Sequence, residues 1–94
     1  MQVIIPHQLA TAEVRARMEA HAHELAGSMA EVETHWHDEE HMDLSIRAMG
    51  QTLTGEIALA PGEVIITIAL PFTLSFMEGT IASTLAEKGR QLLA

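Results

Sequence analysis

The hydrophobic period of this chain changes twice, and that change restricts its fold more than any other feature. Val14, Met18, Ala22, Leu25 and Met29 recur every three or four positions, which puts them on one face of a helix. Beyond Glu31 the apolar residues alternate with polar ones instead. They fall at Val32, Thr34 and Trp36, at Met42, Leu44 and Ile46, at Leu53, Gly55, Ile57 and Leu59, and at Val64, Ile66, Ile68 and Leu70. A period of about two belongs to strands buried on one face. The helical period then returns over Thr73 to Leu93, with Leu74, Met77, Ile81, Leu85 and Leu92 on one side. Ahead of all this, Gln2 to Ile5 is a short β-rich run stopped by Pro6, the pattern of an edge strand.

Turn and cap residues punctuate these segments. Thr11 stands where a helix N-cap is expected, with Glu13 in the first turn. Gly27 and Ser28 mark the end of that helix. The acidic run Asp38 to Glu40, Gly50, and the "APGE" of Ala60 to Glu63 separate the strands, and Pro71 closes the last one. The order read is β-α-β-β-β-β-α. Every element has one apolar side, so the economical arrangement is an antiparallel sheet with both helices on one face, an α+β two-layer sandwich. With 94 residues and neither linker nor repeat, the chain is read as a single domain, 1–94. Trp36, Phe72 and Phe76 are its only aromatics, so the core must be aliphatic. Parity places Trp36 on the helix side with Leu44, Ile57 and Ile66, where it is expected to be largely buried.

Charge narrows the functional classes. The formal net charge is -8, and Arg15, Arg17, Arg47, Lys88 and Arg90 are scattered, which argues against nucleic-acid binding through phosphate neutralisation. The absence of cysteine removes disulfides and thiolate chemistry and fits a cytoplasmic protein. No apolar run approaches the roughly 20 residues of a bilayer span. The N-terminus lacks the basic start and apolar stretch of a signal peptide.

The densest chemistry lies in "HWHDEEHMD", His35 to Asp43. If Trp36 faces the helices, His35 and His37 face outward. The antiparallel partner strand then sets His41 and Asp43 on the same outer face, His37 opposite His41 and His35 opposite Asp43. Cross-strand Cβ atoms lie about 5 Å apart, so His35, His37, His41 and Asp43 are the candidate ligands for a divalent metal such as Zn or Ni. The opposing reading is a solvated hairpin in an acidic protein. No group in the sequence is placed to orient the rings, and that favours the solvated hairpin; neither a metal nor a cofactor is expected. "HAHEL" (His21 to Leu25) is not a metalloprotease helix, because histidines two apart lie on different sides of a helix. Ser28, Ser45, Ser75 and Ser83 have no nucleophile-elbow context. His7, between the first strand and the first helix, reads as a corner histidine bonded to backbone groups. No catalytic residue is assigned.

The outer sheet face is small or apolar around Ile4, Ala58, Ala60, Ile65, Thr67 and Ala69. Such a face can pair with a second copy or lie against an apolar surface, and a homodimer through it is expected.

The order of features resembles the polyhydroxyalkanoic acid system family, the polyhydroxyalkanoate granule-region proteins. "IIPHQLATAEVRARMEAHAHEL" is similar to the family's opening strand, His-x-Leu corner and Ala/Arg-rich helix. "VETHW" is similar to its strand with a single tryptophan before a polar turn. "LTGEIALAPGEVIITIALPF" and "IASTLAEKGRQLLA" resemble its Gly-x-Ile hairpin and amphipathic C-terminal helix. His7, Leu9, Trp36, Gly55 and Ile57 are the matching positions, and His7, Trp36 and Gly55 are read as structural. Pro71, where a glycine is more usual, and the acidic, His-rich turn depart from the pattern. The resemblance implies an association with bacterial polyhydroxyalkanoate storage, at the granule surface or on proteins there, without enzymatic activity. A second reading, from a different class, is a small hydrophobic-ligand or enzyme domain with a helix-grip-like pocket between sheet and helix. A cavity there would favour the second reading; a filled core with an apolar outer patch would favour the first.

Overall fold

The run stopped by Pro6 forms strand β1, Gln2–Pro6, at one edge of a five-stranded antiparallel sheet. A proline is tolerated there because an edge residue need not donate to a neighbour. The computed structural model describes residues 1–24, 31–48 and 50–94. Helix α1 spans Thr11–His21 and tightens into a short 3-10 turn, Ala22–Glu24. Four strands follow: β2 Glu31–Trp36, β3 His41–Ala48, β4 Gln51–Ala60 and β5 Glu63–Ala69. A 3-10 helix, Phe72–Met77, leads into α2, Glu78–Leu93. The strand order β1-β5-β4-β3-β2 makes β2 to β5 a meander, and β1 joins its far edge. The fold is the α+β arrangement read from the sequence, with its elements in the stated order.

Alternation decides the inner face. Met42, Leu44, Leu53, Ile57, Val64, Ile66 and Ile68 project toward the helices and are each 2% exposed or less. Val14 and Met18 of α1 and Leu85 of α2 close over them, each at most 1% exposed. The predicted stripe of α1 is thus buried at Val14, Met18 and Ala22; its continuation at Leu25 and Met29, and the end signals Gly27 and Ser28, lie outside the described residues. The β4–β5 turn uses Gly62 at φ 78° and the β3–β4 turn Gly50 at φ 75°, a backbone region that only glycine occupies without strain.

Three local expectations need correction. Ala10, not Thr11, is the N-cap of α1; its backbone is extended (φ -68°, ψ 149°), and its carbonyl accepts from the Val14 N–H at 3.1 Å with no side-chain cap. The segment read as one helix from Thr73 is two, a 3-10 helix to Met77 and an α-helix after it. On α2 the buried positions are Leu85, Gly89 and Leu93, while Leu92 is half-buried. Gly89 lets the helix sit this low. A Cβ built there runs into the Ile5 side chain, so the absence of a side chain sets how closely α2 approaches β1.

Candidate functional site

The hairpin has the predicted register. His35 pairs with Asp43, Trp36 with Met42, and the His37 N–H donates to the His41 carbonyl at 2.9 Å. His35, His37, His41 and Asp43 therefore do share the outer face, but they divide instead of converging. His37 Nε2 bonds Asp43 Oδ1 at 2.7 Å, while His41 Nδ1 sits 3.0 and 3.1 Å from the two Asp38 carboxylate oxygens. His35 meets His37 only edge to face, ring centroids 6.4 Å apart. Among the described residues no three His, Asp or Glu side chains gather in a metal-holding group.

Asp38 organises the turn. Its Oδ1 accepts the N–H of Glu40 at 2.8 Å and of His41 at 2.9 Å, an Asx-type turn. These bonds favour the ionised carboxylate. The Glu40 N–H and then the His41 ring hold Asp38 below its ordinary pKa, and the Asp38 carboxylate raises that of His41. Helix α1 grips the same turn from the inner side. Arg15 donates to the Asp38 carbonyl at 3.1 Å, pairs with Glu19 at 3.2 Å and stacks over the Trp36 ring at 4.2 Å from its centroid. Trp36 is consequently a half-buried ring under a guanidinium, not the largely buried residue that parity implied. Its face is right, but β2 is an edge strand, and the cover over Trp36 is the Arg15 side chain.

His7 and Gly55 occupy special backbone positions. The His7 N–H donates to the Gly62 carbonyl at 2.9 Å, and its Nδ1 accepts the Leu9 N–H at 3.1 Å. The ring is satisfied by backbone and ties the end of β1 to the start of α1. At Gly55 a Cβ would collide with the Thr67 carbonyl oxygen and come within 2.7 Å of Ile68 Cδ1.

On the outer face the register lines up Ile4, Ile65, Ala58 and His41 in one row, and Gln2, Thr67, Glu56 and Asp43 in the next. Ile4 is 52% exposed, Thr67 and Ala69 are exposed, and Ala58, Ala60 and Ile65 are half-buried. Glu56 and Glu63 share this face, so its apolar part is a strip, not a plateau. Ala58, Ile65, Thr67 and Ala69 line a shallow depression of about 500 Å³ that also reaches Asp43 and Glu56. A second depression, about 630 Å³, is bordered by His21, His23, Glu24 and Lys88. Both histidines reach its rim because the chain tightens into the 3-10 turn after His21. Helix periodicity alone had set them on different sides.

Periodicity also missed two kinds of residue. Arg17 bonds the carbonyls of Leu92 and Ala94 at 3.3 and 2.6 Å, tying α1 to the end of α2. Phe72 and Phe76 are 91% and 76% exposed. The available signal was a pair of phenylalanines in an uncharged run after Pro71.

The family described as "putative polyhydroxyalkanoic acid system protein" matches residues 1–93. The chain belongs to this family. Among the described residues the match takes in the five strands and both α-helices. No curated protein and no solved structure matches the chain. No helix among the described residues is long and apolar enough to cross a membrane.

Proposed function

We propose that the protein is a non-enzymatic accessory protein of polyhydroxyalkanoate storage, acting at the polymer granule and pairing with a second copy through its outer sheet face. The family match supports the setting. One observation carries the mode of action: among the described residues no polar or charged side chain is buried, and the whole interior is aliphatic. Acid/base and nucleophilic catalysis draw on ionisable groups withdrawn from water into a pocket. Here every ionisable group meets solvent, and the space between sheet and helices is occupied by Met18, Met42, Leu44, Ile57, Ile66 and Leu85. The depressions at the outer face and at the end of α1 lie outside that space. A filled interior supports interaction over ligand capture. The Ile4–Ile65–Ala58 strip offers a surface for the second copy, and the net charge of -8 keeps unassembled chains apart in solution.

The test is localisation. A fluorescently tagged copy in polymer-accumulating cells is expected to form rims around granules and to be diffuse in cells that make no polymer. A diffuse distribution in both would overturn the reading.

A further inference from the structure

The strongest unexplained feature is the segment after β5. Ala69 to Met77 reads "ALPFTLSFM", with no ionisable side chain, in a chain where 19% of residues are charged. Two of the three aromatics lie in it, and neither contributes to the core. The 3-10 geometry sets their directions. At about three residues per turn, Phe72, Leu74 and Phe76 fall roughly 120° apart. Leu74 takes the inward direction, 6% exposed, and the two rings must diverge to either side of it. A regular α-helix would have set the rings one above the other. The exposed Ser75 falls on the Phe72 side and the exposed Thr73 on the Phe76 side.

The segment also has a defined place. β5 runs from Glu63, paired with Ala60 and Pro6, to Ala69, paired with Thr54. The turn containing Asp38, Glu39 and Glu40 lies at the Glu63 end, since the Leu59 N–H donates to the Glu40 carbonyl at 2.8 Å. The acidic turns and the uncharged segment are thus at opposite ends of the sheet. Between Arg47 and Lys88 the sequence has no basic residue.

We propose that Phe72 and Phe76 insert into the surface of a neutral aliphatic polyester, with the Thr73 and Ser75 hydroxyls donating to its ester carbonyls. This rests on the reading that the polymer granule is where the chain acts, and it names the contact. The chemistry favours this occupant over two others. An anionic lipid surface attracts basic segments, and this acidic protein presents none here. A folded partner needs roughly 800 Å² on each side for a stable contact, whereas two phenylalanine rings supply about 300–500 Å². A deformable apolar surface requires only rings that protrude.

Polyhydroxybutyrate particles stripped of protein and lipid provide the probe, with co-sedimentation of wild type and of the Phe72→Ser/Phe76→Ser double variant. Burying one such ring strengthens binding on the order of 10- to 100-fold, so the double variant should bind at least 100-fold more weakly. Its circular dichroism and melting temperature should be unchanged, because the rings make no core contact. Wild type should leave phosphatidylglycerol vesicles in the supernatant. A Phe72→Trp variant should keep wild-type binding, and its additional emission should shift to the blue on particles. Equal binding by the double variant, binding to vesicles alone, an unshifted Phe72→Trp emission, or conversion of a dimer to monomer by the double substitution would each overturn the assignment. If wild type ignores bare particles while a tagged copy still rims granules in cells, this contact fails and the accessory reading stands. If wild type binds particles through the two rings but the tagged copy is diffuse in polymer-accumulating cells, the surface property stands and the accessory reading fails.

Discussion

Asp38 and His41 show how one turn carries the local electrostatics of the hairpin. The raised pKa of His41 means that its pairing stabilises the turn fully below the unfolded value of about 6.5. That contribution is lost as pH rises through the raised folded value. Asp38 runs the other way: its contribution is present above its unfolded value and lost as pH falls through the lowered folded one. The turn is therefore held best between the two unfolded values, about 3.8 and about 6.5. In a proton-detected histidine titration, Asp38→Asn should move the His41 midpoint down toward about 6.5. An unmoved midpoint would show that Asp38 does not pair with His41 in solution. Trp36 provides a second residue-scale prediction. A fully buried tryptophan costs about 3–5 kcal/mol on truncation to alanine, but this ring is half-buried beneath Arg15. Trp36→Ala should cost about 2 kcal/mol in chemical denaturation, of which about 0.5–1 kcal/mol is the stacking that Arg15→Ala also removes. A double-mutant cycle measures that shared part, and strict additivity would show the stack to be energetically empty.

At the scale of the element, glycines separate packing from propensity. Gly79 lies in the first turn of α2 with nothing within 4 Å of a built Cβ. Gly79→Ala should stabilise the protein by roughly 0.5–1 kcal/mol through the unfolded chain and helix propensity. Gly89→Ala gains the same propensity but drives a methyl into Ile5, which is 1% exposed. Overpacking of this kind costs typically about 1–3 kcal/mol, so the net effect should be destabilising. Because the obstructing atom is the end of a flexible side chain, Ile5→Val in the same molecule should recover part of the loss. Equal effects at the two glycines in thermal denaturation would contradict the close approach of α2 to β1. At Gly55 the obstacle is the Thr67 backbone oxygen, which cannot rotate away. Gly55→Ala should therefore destabilise more than Gly89→Ala.

At the scale of the whole molecule, the described residues cover the sheet on one side and leave the other open. The row Ile4–Ile65–Ala58 across three strands is the proposed seat for a second copy, and isologous pairing of that face would bury apolar surface that a small domain has little means to cover alone. Sedimentation velocity at micromolar concentration should give a dimer for wild type. Ile65→Glu places a charge beside Glu56 and Glu63 on the same face and should give a folded monomer, with native circular dichroism and a melting temperature lowered by the lost association. A wild-type monomer would remove the dimer, and a dimeric Ile65→Glu would move the interface elsewhere.

The sequence alone determined which side of each element is apolar, because the pleat and the helical turn are local geometry. That was sufficient for the element order, for the antiparallel two-layer sandwich, for the inner positions Leu44, Ile57 and Ile66, and for the pairing of His35 with Asp43. It also placed His7 correctly at a backbone-bonded corner. Tertiary structure decided how much of each apolar side is covered. α2 lies against β1 and α1 against β4, while the edge strand β2 meets the 3-10 turn Ala22–Glu24 and, at Trp36, the Arg15 side chain of α1. Trp36 therefore remains half-exposed although its parity is correct. The hairpin's side chains separated into two pairs because Asp38 folds back onto the turn, a choice of partner that strand parity does not specify. Phe72 and Phe76 splay to either side of the inward Leu74, and do not stack on one side, because a 3-10 helix, not an α-helix, follows Pro71. Periodicity names a face; only packing against a neighbour determines whether that face is buried.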